Sequence, residues 1–232
     1  RAQDAGFANI GIDLIAGLPG VIPALWSETL DRAISLSLTH LSVYALTVES
    51  GTPLAQQIED GLELPGDDDQ LAALDQAEAA FGEAGFARYE ISNYALPGFE
   101  CRHNLAVWRG HDFLGLGPSA ASRVGRIRWT NSKDLEEYIC AVQHDSLPSA
   151  DSTALDAAED AEERVIFALR LNEGIDLAAE ARRFPALAGR VGAWEQRLAD
   201  LAVHGITERV GDRWRLTVRG REVCDAVLRE LV

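Results

Sequence analysis

The first fifty residues of the chain contain two apolar segments that are separated by an amphipathic stretch. Residues 9–16 (NIGIDLIA) and residues 40–49 (HLSVYALTVE) are apolar at most positions and rich in branched side chains. Such nearly continuous apolar runs are typical of parallel strands that are covered on both faces. Between them, Pro23 starts a stretch with helical spacing that reaches about Leu38,. The pattern predicts a parallel strand–helix–strand unit and an α/β fold.

The hydrophobic pattern then alternates between helix and strand. Residues 67–84 carry apolar side chains at helical spacing and precede Gly85, which predicts a helix and its end,. Residues 89–95 alternate with a period of two and predict a third strand, and residues 126–131 predict a further short strand,. Residues 144–157 are polar and turn-forming, which predicts a linker,.

The last third of the chain has the pattern of a small helical module. It predicts helices, then two short strands around a tight turn at Gly211, and a final helix from about Gly220. Helices followed by a two-stranded hairpin predict a winged-helix-like module. The three predicted helices before the hairpin lie near residues 158–171, 177–183 and 191–204.

Residues 89–122 lack a sustained period over most of their length. The segment is too rich in aromatic and apolar residues to be disordered,, and a long irregular segment in a compact domain is usually functional. His103 is followed five residues later by the flat indole of Trp108. This combination suits a flat, metal-containing ligand, so the segment is expected to be an ordered binding loop.

Composition narrows the classes of function. The chain has 232 residues, of which 47% are hydrophobic, so it can bury a sizeable core,. Its net charge of −16 argues against nucleic acid as a partner,. The charge is uneven, because residues 181–232 hold ten arginines against seven acids, a net of +3. On a winged-helix-like module, a basic face for DNA would consist of Arg209, Arg213, Arg215, Arg219 and Arg221.

Cysteine and methionine usage adds two expectations. Cys101, Cys140 and Cys224 are widely spaced and odd in number, which disfavours a disulfide scaffold and suits the reducing cytoplasm,. No pair has a metal-binding spacing, so these cysteines are not expected to hold an iron–sulfur cluster by themselves. The chain contains no methionine and starts within a helix-to-strand pattern, so we expect a piece of a longer protein.

Four motifs follow one another along the chain: GIDLIAGLPG at 11–20, HLSVYALTVESGTPL at 40–54, YEISNYALPGFECRHNLAVWRG at 89–110 and DFLGLGPSAAS at 112–122. In order and spacing they resemble the radical S-adenosylmethionine proteins related to oxygen-independent coproporphyrinogen III oxidase. Within that group they resemble the HemW heme chaperone family. The hairpin near residues 214–218 and its flanking helices look like the C-terminal domain of the same family.

The resemblance implies three parts of the fold. Residues 1–125 would form the C-terminal part of a partial (β/α)6 radical SAM barrel, with a heme-associated loop at 89–122. Residues 126–157 would be a connecting strand and linker, and residues 158–232 a helical, winged-helix-like C-terminal domain. The family opens with a CxxxCxxC loop for a [4Fe-4S] cluster, and this chain has no such motif. The resemblance therefore implies a C-terminal fragment that begins at the fifth barrel strand. It is expected to be inactive alone, and whether it is an enzyme stays open.

The family's HNxxYW motif is associated with heme binding and is written HNLAVW at residues 103–108 here, with Val107 in place of the tyrosine. The resemblance implies that His103 is the axial ligand of the heme iron and that Trp108 packs on the porphyrin face. The two flanking arginines would pair with the propionates. The alternative is a histidine that only ties the loop to the barrel. The expected heme-binding residues are Arg102, His103, Asn104, Trp108 and Arg109.

A second set of residues is implied for S-adenosylmethionine in the intact protein. Asp13 is expected at the end of a buried parallel strand, where ligand sites gather, and by resemblance accepts hydrogen bonds from the ribose. Tyr44 and Leu46 would contact the adenosyl group. Gly115 and Gly117 would let the backbone approach the ligand closely. The alternatives are a helix-capping or loop-pinning carboxylate for Asp13 and packing of the barrel interior and wall for the other four.

The function implied by the resemblance is that of a heme-binding chaperone that delivers heme to acceptor proteins. The alternatives are an oxygen-independent coproporphyrinogen III dehydrogenase of porphyrin biosynthesis and a non-catalytic docking module. The implied cofactors are heme and, in the intact protein only, S-adenosylmethionine and the [4Fe-4S] cluster. The implied partners are heme acceptors, the N-terminal half of the barrel and a membrane surface contacted peripherally. The exposed edge of the strand at residues 9–16 predicts self-association.

Overall fold

The structure is a computed structural model that describes residues 1–231. The chain divides into two units, the first covering Arg1–Cys101 and the second beginning at Arg102. No helix within the described residues is both long enough and apolar enough to cross a membrane.

The first unit is a four-stranded sheet with helices. Its elements are, in chain order, β1 (Gly11–Ala16), α1 (Pro23–Ile34), β2 (His40–Ala45), α2 (Pro53–Glu59), α3 (Asp67–Glu83), β3 (Ala87–Arg88) and β4 (Asn93–Ala95). The strand order is β1-β2-β4-β3. β1 and β2 pair in parallel over their full length, as the strand–helix–strand pattern predicts, and β4 pairs antiparallel with both of its neighbours.

One face of this sheet carries the core of the first unit. Leu30 of α1 and Phe81 of α3 are buried against Leu41 and Val43 of β2. Trp26 joins this cluster and donates its indole N–H to the Ala73 carbonyl at 2.9 Å. Because side chains alternate along a strand, the neighbouring positions of β1 and β2 point to the opposite face. That opposite face holds most of the polar residues described below.

The second unit combines a three-stranded antiparallel sheet with a helical C-terminal module. Its elements are, in chain order, α4 (Arg102–Trp108), β5 (Ala121–Val124), β6 (Ile127–Asn131), α5 (Leu135–Gln143), β7 (Ser149–Ala154), α6 (Ala157–Leu169), α7 (Leu177–Arg183), a short 3-10 helix (Pro185–Leu187), α8 (Val191–Val203), β8 (Thr207–Val210), β9 (Arg213–Leu216), α9 (Val218–Glu222) and α10 (Cys224–Arg229). The sheet order is β5-β6-β7, and β8 and β9 form the predicted hairpin.

The C-terminal module agrees with the winged-helix-like prediction. Asp156 forms a capping box with Glu159 at the start of α6, which accounts for the helix boundary,. Trp194 of α8 is buried and donates its indole N–H to the Leu231 carbonyl at 2.7 Å. Thr207 at the start of the hairpin donates its hydroxyl to the Leu198 carbonyl at 2.5 Å, which ties β8 to α8.

Three local predictions differ from the structure. The segment 89–122 is not irregular throughout, because it contains β4, the helix α4 and the start of β5. The predicted strand at 89–95 is interrupted: the carboxylate of Glu90 accepts a hydrogen bond from the Ser92 amide at 2.8 Å, which makes a turn before β4. The predicted linker contains β7, an exposed polar edge strand that pairs with β6,.

Candidate functional site

The HNLAVW motif lies on α4, a helix of seven residues. The helix ends at Trp108, and Gly110 follows two residues later with a positive φ of 70°. The amide of Gly110 bonds to the Val107 carbonyl and the amide of His111 bonds to the Ala106 carbonyl, both at 2.9 Å. These two bonds form a Schellman motif, the usual way in which a glycine ends a helix. The motif is therefore presented by regular backbone with a defined end, rather than by an irregular loop.

Within the helix α4, the side chains of His103 and Trp108 point in different directions. Residues five apart lie about 140° from each other around a helix axis, whereas residues four apart share a face. Val107, which occupies the place of the family tyrosine, is therefore the neighbour of His103 one turn on. Trp108 points elsewhere. The predicted arrangement, in which imidazole and indole contact one flat ligand from adjacent loop positions, does not follow from this backbone.

Trp108 packs against α6. Its ring is edge-on to Phe167, with centroids 5.8 Å apart and planes at 79°. The guanidinium of Arg170 lies over the indole at 4.9 Å from the ring centroid. The indole Nε1 is buried and has no hydrogen-bond partner among residues 1–231. These contacts anchor α4 in the second unit.

Arg109 is also engaged with the protein. Its Nε and Nη2 bind the two carboxylate oxygens of Glu173 at 3.1 and 3.3 Å. Both side chains are nearly half exposed. A bidentate pair of this kind fixes the orientation of the guanidinium but contributes little to the free energy of folding. A heme propionate would have to compete with Glu173 for this guanidinium.

A buried charge network holds the C-terminal end of α4. The Gly110 carbonyl accepts hydrogen bonds from Arg123, at 3.0 Å, and from Arg164. Both guanidinium groups also bind the carboxylate of Asp160, with Arg164 Nε 3.2 Å from Oδ2. Arg123 and Asp160 are almost fully buried. The sequence interpretation missed these three residues, because their pairing depends on β5 meeting α6.

The first turn of α4 has the opposite character. Arg102 and His103 are exposed and Asn104 is half-buried. Within residues 1–231, none of these three side chains forms a hydrogen bond or an ion pair. The N-terminal half of the motif is therefore available to a ligand, whereas the C-terminal half is occupied by protein contacts.

The glycine turn predicted to approach a ligand is built into the second unit. A Cβ on Gly115 would overlap the Ala121 carbonyl, so glycine is required there by the protein's own backbone. Asn131 donates to the Gly115 and Gly117 carbonyls at 3.2 and 2.9 Å, and the Gly117 amide donates to the Tyr138 hydroxyl at 2.9 Å. The turn exposes Leu116, whose side chain is 82% accessible.

The residues predicted for adenosylmethionine in the first unit share one sheet face. Asp13 pairs in register with Ser42, and Ile15 with Tyr44, so Asp13 and Tyr44 are diagonal neighbours on the face opposite the core. The Leu46 amide continues the ladder by donating to the Ala16 carbonyl at 2.9 Å. Asp13 is the exposed third residue of β1, rather than a residue at the end of a buried strand, and its role toward the ribose stays a prediction.

The same face carries a buried polar network that the sequence interpretation missed. Ser42 donates to Asn93 Oδ1 at 2.8 Å, and Asn93 donates to the carboxylate of Glu90. All three side chains are buried. A buried network is stable only when its members satisfy one another, so these residues are held in fixed positions. The available signal was the alternation of His40, Ser42 and Tyr44 within an otherwise apolar strand.

His40 lies at the margin of this network. Its Nε2 is 2.9 Å from the Tyr89 hydroxyl. Burial lowers the pKa of His40, and the nearby carboxylates of Asp13 and Glu90 oppose this by raising it. The ring is therefore held mainly as neutral imidazole at neutral pH.

Among residues 1–231 no group of three or more His, Cys, Asp or Glu side chains is placed to hold a metal ion. The side chains described here therefore do not fit a [4Fe-4S] cluster. At the first turn of α4, an imidazole and a guanidinium are both exposed.

Comparison with known proteins gives one consistent result. Residues 155–223 match the family described as the HemN C-terminal domain. The heme chaperone HemW of Mycobacterium tuberculosis is 38% identical over 229 residues, which cover 98% of this chain and 56% of that protein. The heme chaperone HemW of Bacillus subtilis is 32% identical, and the match covers 100% of this chain and 62% of that protein. The chain spans somewhat more than half the length of these curated relatives.

Among solved structures, coproporphyrinogen III oxidase (HemN) from Escherichia coli, described as a radical SAM enzyme, has a TM-score of 0.81 to this chain. It is 24% identical, and the match covers 99% of this chain and 56% of that one. The fold is therefore that of the C-terminal part of a HemN-like radical SAM protein. The two relatives named HemW are 38% and 32% identical to this chain over nearly its whole length, and the chain belongs to the HemW family. This confirms the family inferred from the four motifs.

Proposed function

We propose that the chain carries the heme-contacting helix of a heme chaperone, with His103 as the axial ligand of the heme iron. The observation that carries the proposal is the exposed imidazole of His103 on the first turn of α4, with no side-chain partner within residues 1–231. Neutral imidazole is a common ligand of heme iron. The two relatives named as heme chaperones align over nearly all of the chain, which supports this choice of ligand.

The other residues of the predicted heme site take different roles in this proposal. Arg102 is exposed beside His103 and is the better placed cation for a propionate,. Asn104, half-buried, supplies an amide near the same turn. Trp108 and Arg109 are positioning residues, because they fasten α4 to α6 and to Glu173. Val107 offers an apolar surface beside the imidazole where the family tyrosine would offer a hydroxyl.

For the whole protein we further propose that adenosylmethionine lies on the polar face of the first unit's sheet. Asp13 would accept hydrogen bonds from the ribose, and Tyr44 and Leu46 would contact the adenosyl group. Contacts within the second unit hold the turn of Gly115 and Gly117, and their approach to the ligand stays a prediction. The cluster ligands of the whole protein would come from a part outside this chain.

The chaperone proposal is preferred over coproporphyrinogen III dehydrogenase. The likeness to the Escherichia coli enzyme, at 24% identity, concerns the fold alone, whereas the relatives at 38% and 32% identity carry the chaperone name. The dehydrogenase alternative predicts that the full-length protein, reconstituted anaerobically, converts coproporphyrinogen to protoporphyrinogen. Absence of that product would exclude it.

The heme proposal is tested by titrating hemin into the chain and following the Soret band. The wild type and His103→Ala are compared with His111→Ala, which removes another exposed histidine of the second unit. We expect saturable binding in the wild type and in His111→Ala, and affinity at least about tenfold lower with an altered Soret position in His103→Ala. Identical titrations for all three proteins would remove His103 as the ligand.

Delivery of heme is tested separately by capture of partners from a cell extract with heme-loaded and heme-free chain. Capture that requires heme supports a chaperone. Equal capture without heme would instead indicate the docking module, because a docking surface does not need the cargo.

A further inference from the structure

The five arginines that would form a DNA-binding face are divided by the structure into two groups. Arg213 donates to the Glu173 carbonyl at 2.6 Å and to the Gly174 carbonyl, which ties the hairpin to the preceding loop. Arg209 lies over the Trp214 ring, 5.7 Å from its centroid. These two arginines have structural contacts within the second unit.

The other three arginines line one cavity. Arg215, Arg219 and Arg221 border a space of about 480 Å³ between the β8–β9 hairpin and α9. Glu208 is the acidic residue among those that line this cavity. Three guanidinium groups and one carboxylate give the lining a net positive charge within a chain whose net charge is −16.

The local fold brings these side chains together. Thr217 caps α9, since its hydroxyl oxygen accepts a hydrogen bond from the Gly220 amide at 3.0 Å. A Cβ on Gly220 would overlap the Ile206 carbonyl, so glycine allows α9 to lie directly against the hairpin. Arg219 and Arg221 on α9 are thereby held next to Arg215 on β9.

Arg215 and Arg219 differ in how far their guanidinium groups are engaged by the protein. Arg215 directs both Nε and Nη2 to Glu208 Oε1, each at 2.8 Å. Arg219 Nη1 lies 3.5 Å from the His204 carbonyl, at the long limit of a hydrogen bond,. Most donors of the exposed Arg219 guanidinium are therefore available to a ligand.

We propose that this cavity binds a small polyanion whose phosphate or carboxylate groups are held by Arg219 with Arg215 and Arg221. Guanidinium groups recognise both kinds of anion through paired, charge-assisted hydrogen bonds. The site is separate from α4, and the proposal does not depend on heme binding. Double-stranded DNA is disfavoured as the occupant, because two of the five arginines of its supposed face are engaged elsewhere.

The test is calorimetric titration of the full chain at low ionic strength with inorganic pyrophosphate and, in a separate arm, with citrate. The two arms distinguish a phosphate site from a carboxylate site. Arg219→Gln removes the available guanidinium, and Arg219→Lys keeps the charge but not the planar fork. Arg182→Gln is the matched control, since it removes one exposed positive charge from α7. Circular dichroism verifies that each variant is folded.

We expect saturable binding of at least one probe that weakens with added salt. The affinity should fall about tenfold or more in Arg219→Gln, fall less in Arg219→Lys, and stay unchanged in Arg182→Gln. The proposal is overturned if neither probe binds the wild type, or if Arg219→Gln binds as well as Arg182→Gln.

Discussion

Replacement of Asp160 by alanine would leave two guanidinium groups without their carboxylate partner. The side chains of Arg123, Asp160 and Arg164 are 2%, 9% and 16% exposed. Removal of one member of a buried ion pair costs about 3–5 kcal/mol, because the remaining charge is uncompensated. Glu163, 3.9 Å from Arg123 Nε, provides partial compensation. We therefore expect a loss near the lower end, about 3 kcal/mol, from a total of about 5–15 kcal/mol.

Urea unfolding followed by tryptophan fluorescence suits this measurement, because four of the chain's five tryptophans lie in the second unit. The matched control is Glu230→Ala, which removes the acidic partner of Arg197 from a pair whose side chains are 46% and 51% exposed. An exposed pair contributes about 0–1 kcal/mol. We expect the midpoint for Asp160→Ala to fall clearly below that of this control.

A double variant, Arg123→Met with Asp160→Leu, separates the buried charge from the loss of contacts. Replacement of both partners by apolar groups is often neutral or stabilising, so this variant should regain much of the lost free energy. The reasoning is refuted if Asp160→Ala costs no more than Glu230→Ala. It is also refuted if the double variant is less stable than Asp160→Ala by more than the experimental error.

Two further predictions concern the stability of the fold, the first measured by the same urea unfolding. Gly115→Ala should lose about 1–3 kcal/mol because its Cβ would overlap the Ala121 carbonyl,. Gly192→Ala in α8, where a Cβ meets nothing within 4 Å, should gain about 0.5–1 kcal/mol,; effects of equal sign would contradict this. Since the pKa of His40 is lowered in the folded state, the unfolded chain binds the proton more readily. The free energy of unfolding should therefore decrease as the pH is lowered below about 6.5. In circular dichroism melts, His40→Gln should make this decrease smaller; an unchanged pH dependence would contradict the role of His40.

The architecture was largely predictable because its elements have strong local signals. The parallel pair β1 and β2 was predicted from apolar runs, and α7 was predicted with its bounds as they are found. The helices α6 and α8 differ from their predicted ranges by one or two residues. These elements bury one face against a core, so their pattern of apolar residues is preserved in the sequence.

The elements that were missed have weak local signals. The helix α4 has two turns, which is too short for a helical period to stand out from the surrounding sequence. Strand β7 is polar because it is an exposed edge, and polar segments are normally interpreted as loops,. The family could still be inferred, because the order of four motifs does not require each element to be assigned correctly.

For the candidate site, the heme-binding residues stay a prediction, and the structure shows which of them have partners within the protein. His103 is exposed as a ligand must be, but the sequence could not indicate that Trp108 and Arg109 have partners in Phe167 and Glu173. Such partners are distant in sequence and become neighbours only when the tertiary structure forms. For the same reason, the sequence did not reveal the hydrogen bond between Asn93 and Glu90, which are both buried in the first unit.

The helix α4 is fastened at one end and open at the other. After its last turn, the Gly110 carbonyl accepts hydrogen bonds from Arg123 and Arg164, whereas its first turn exposes the His103 imidazole to solvent. Under the proposed function, the HNLAVW motif would combine residues that contact heme with residues that hold α4 in the second unit. Variants of the motif are then expected to fall into two groups, folded proteins that no longer bind heme and proteins that do not fold and express poorly.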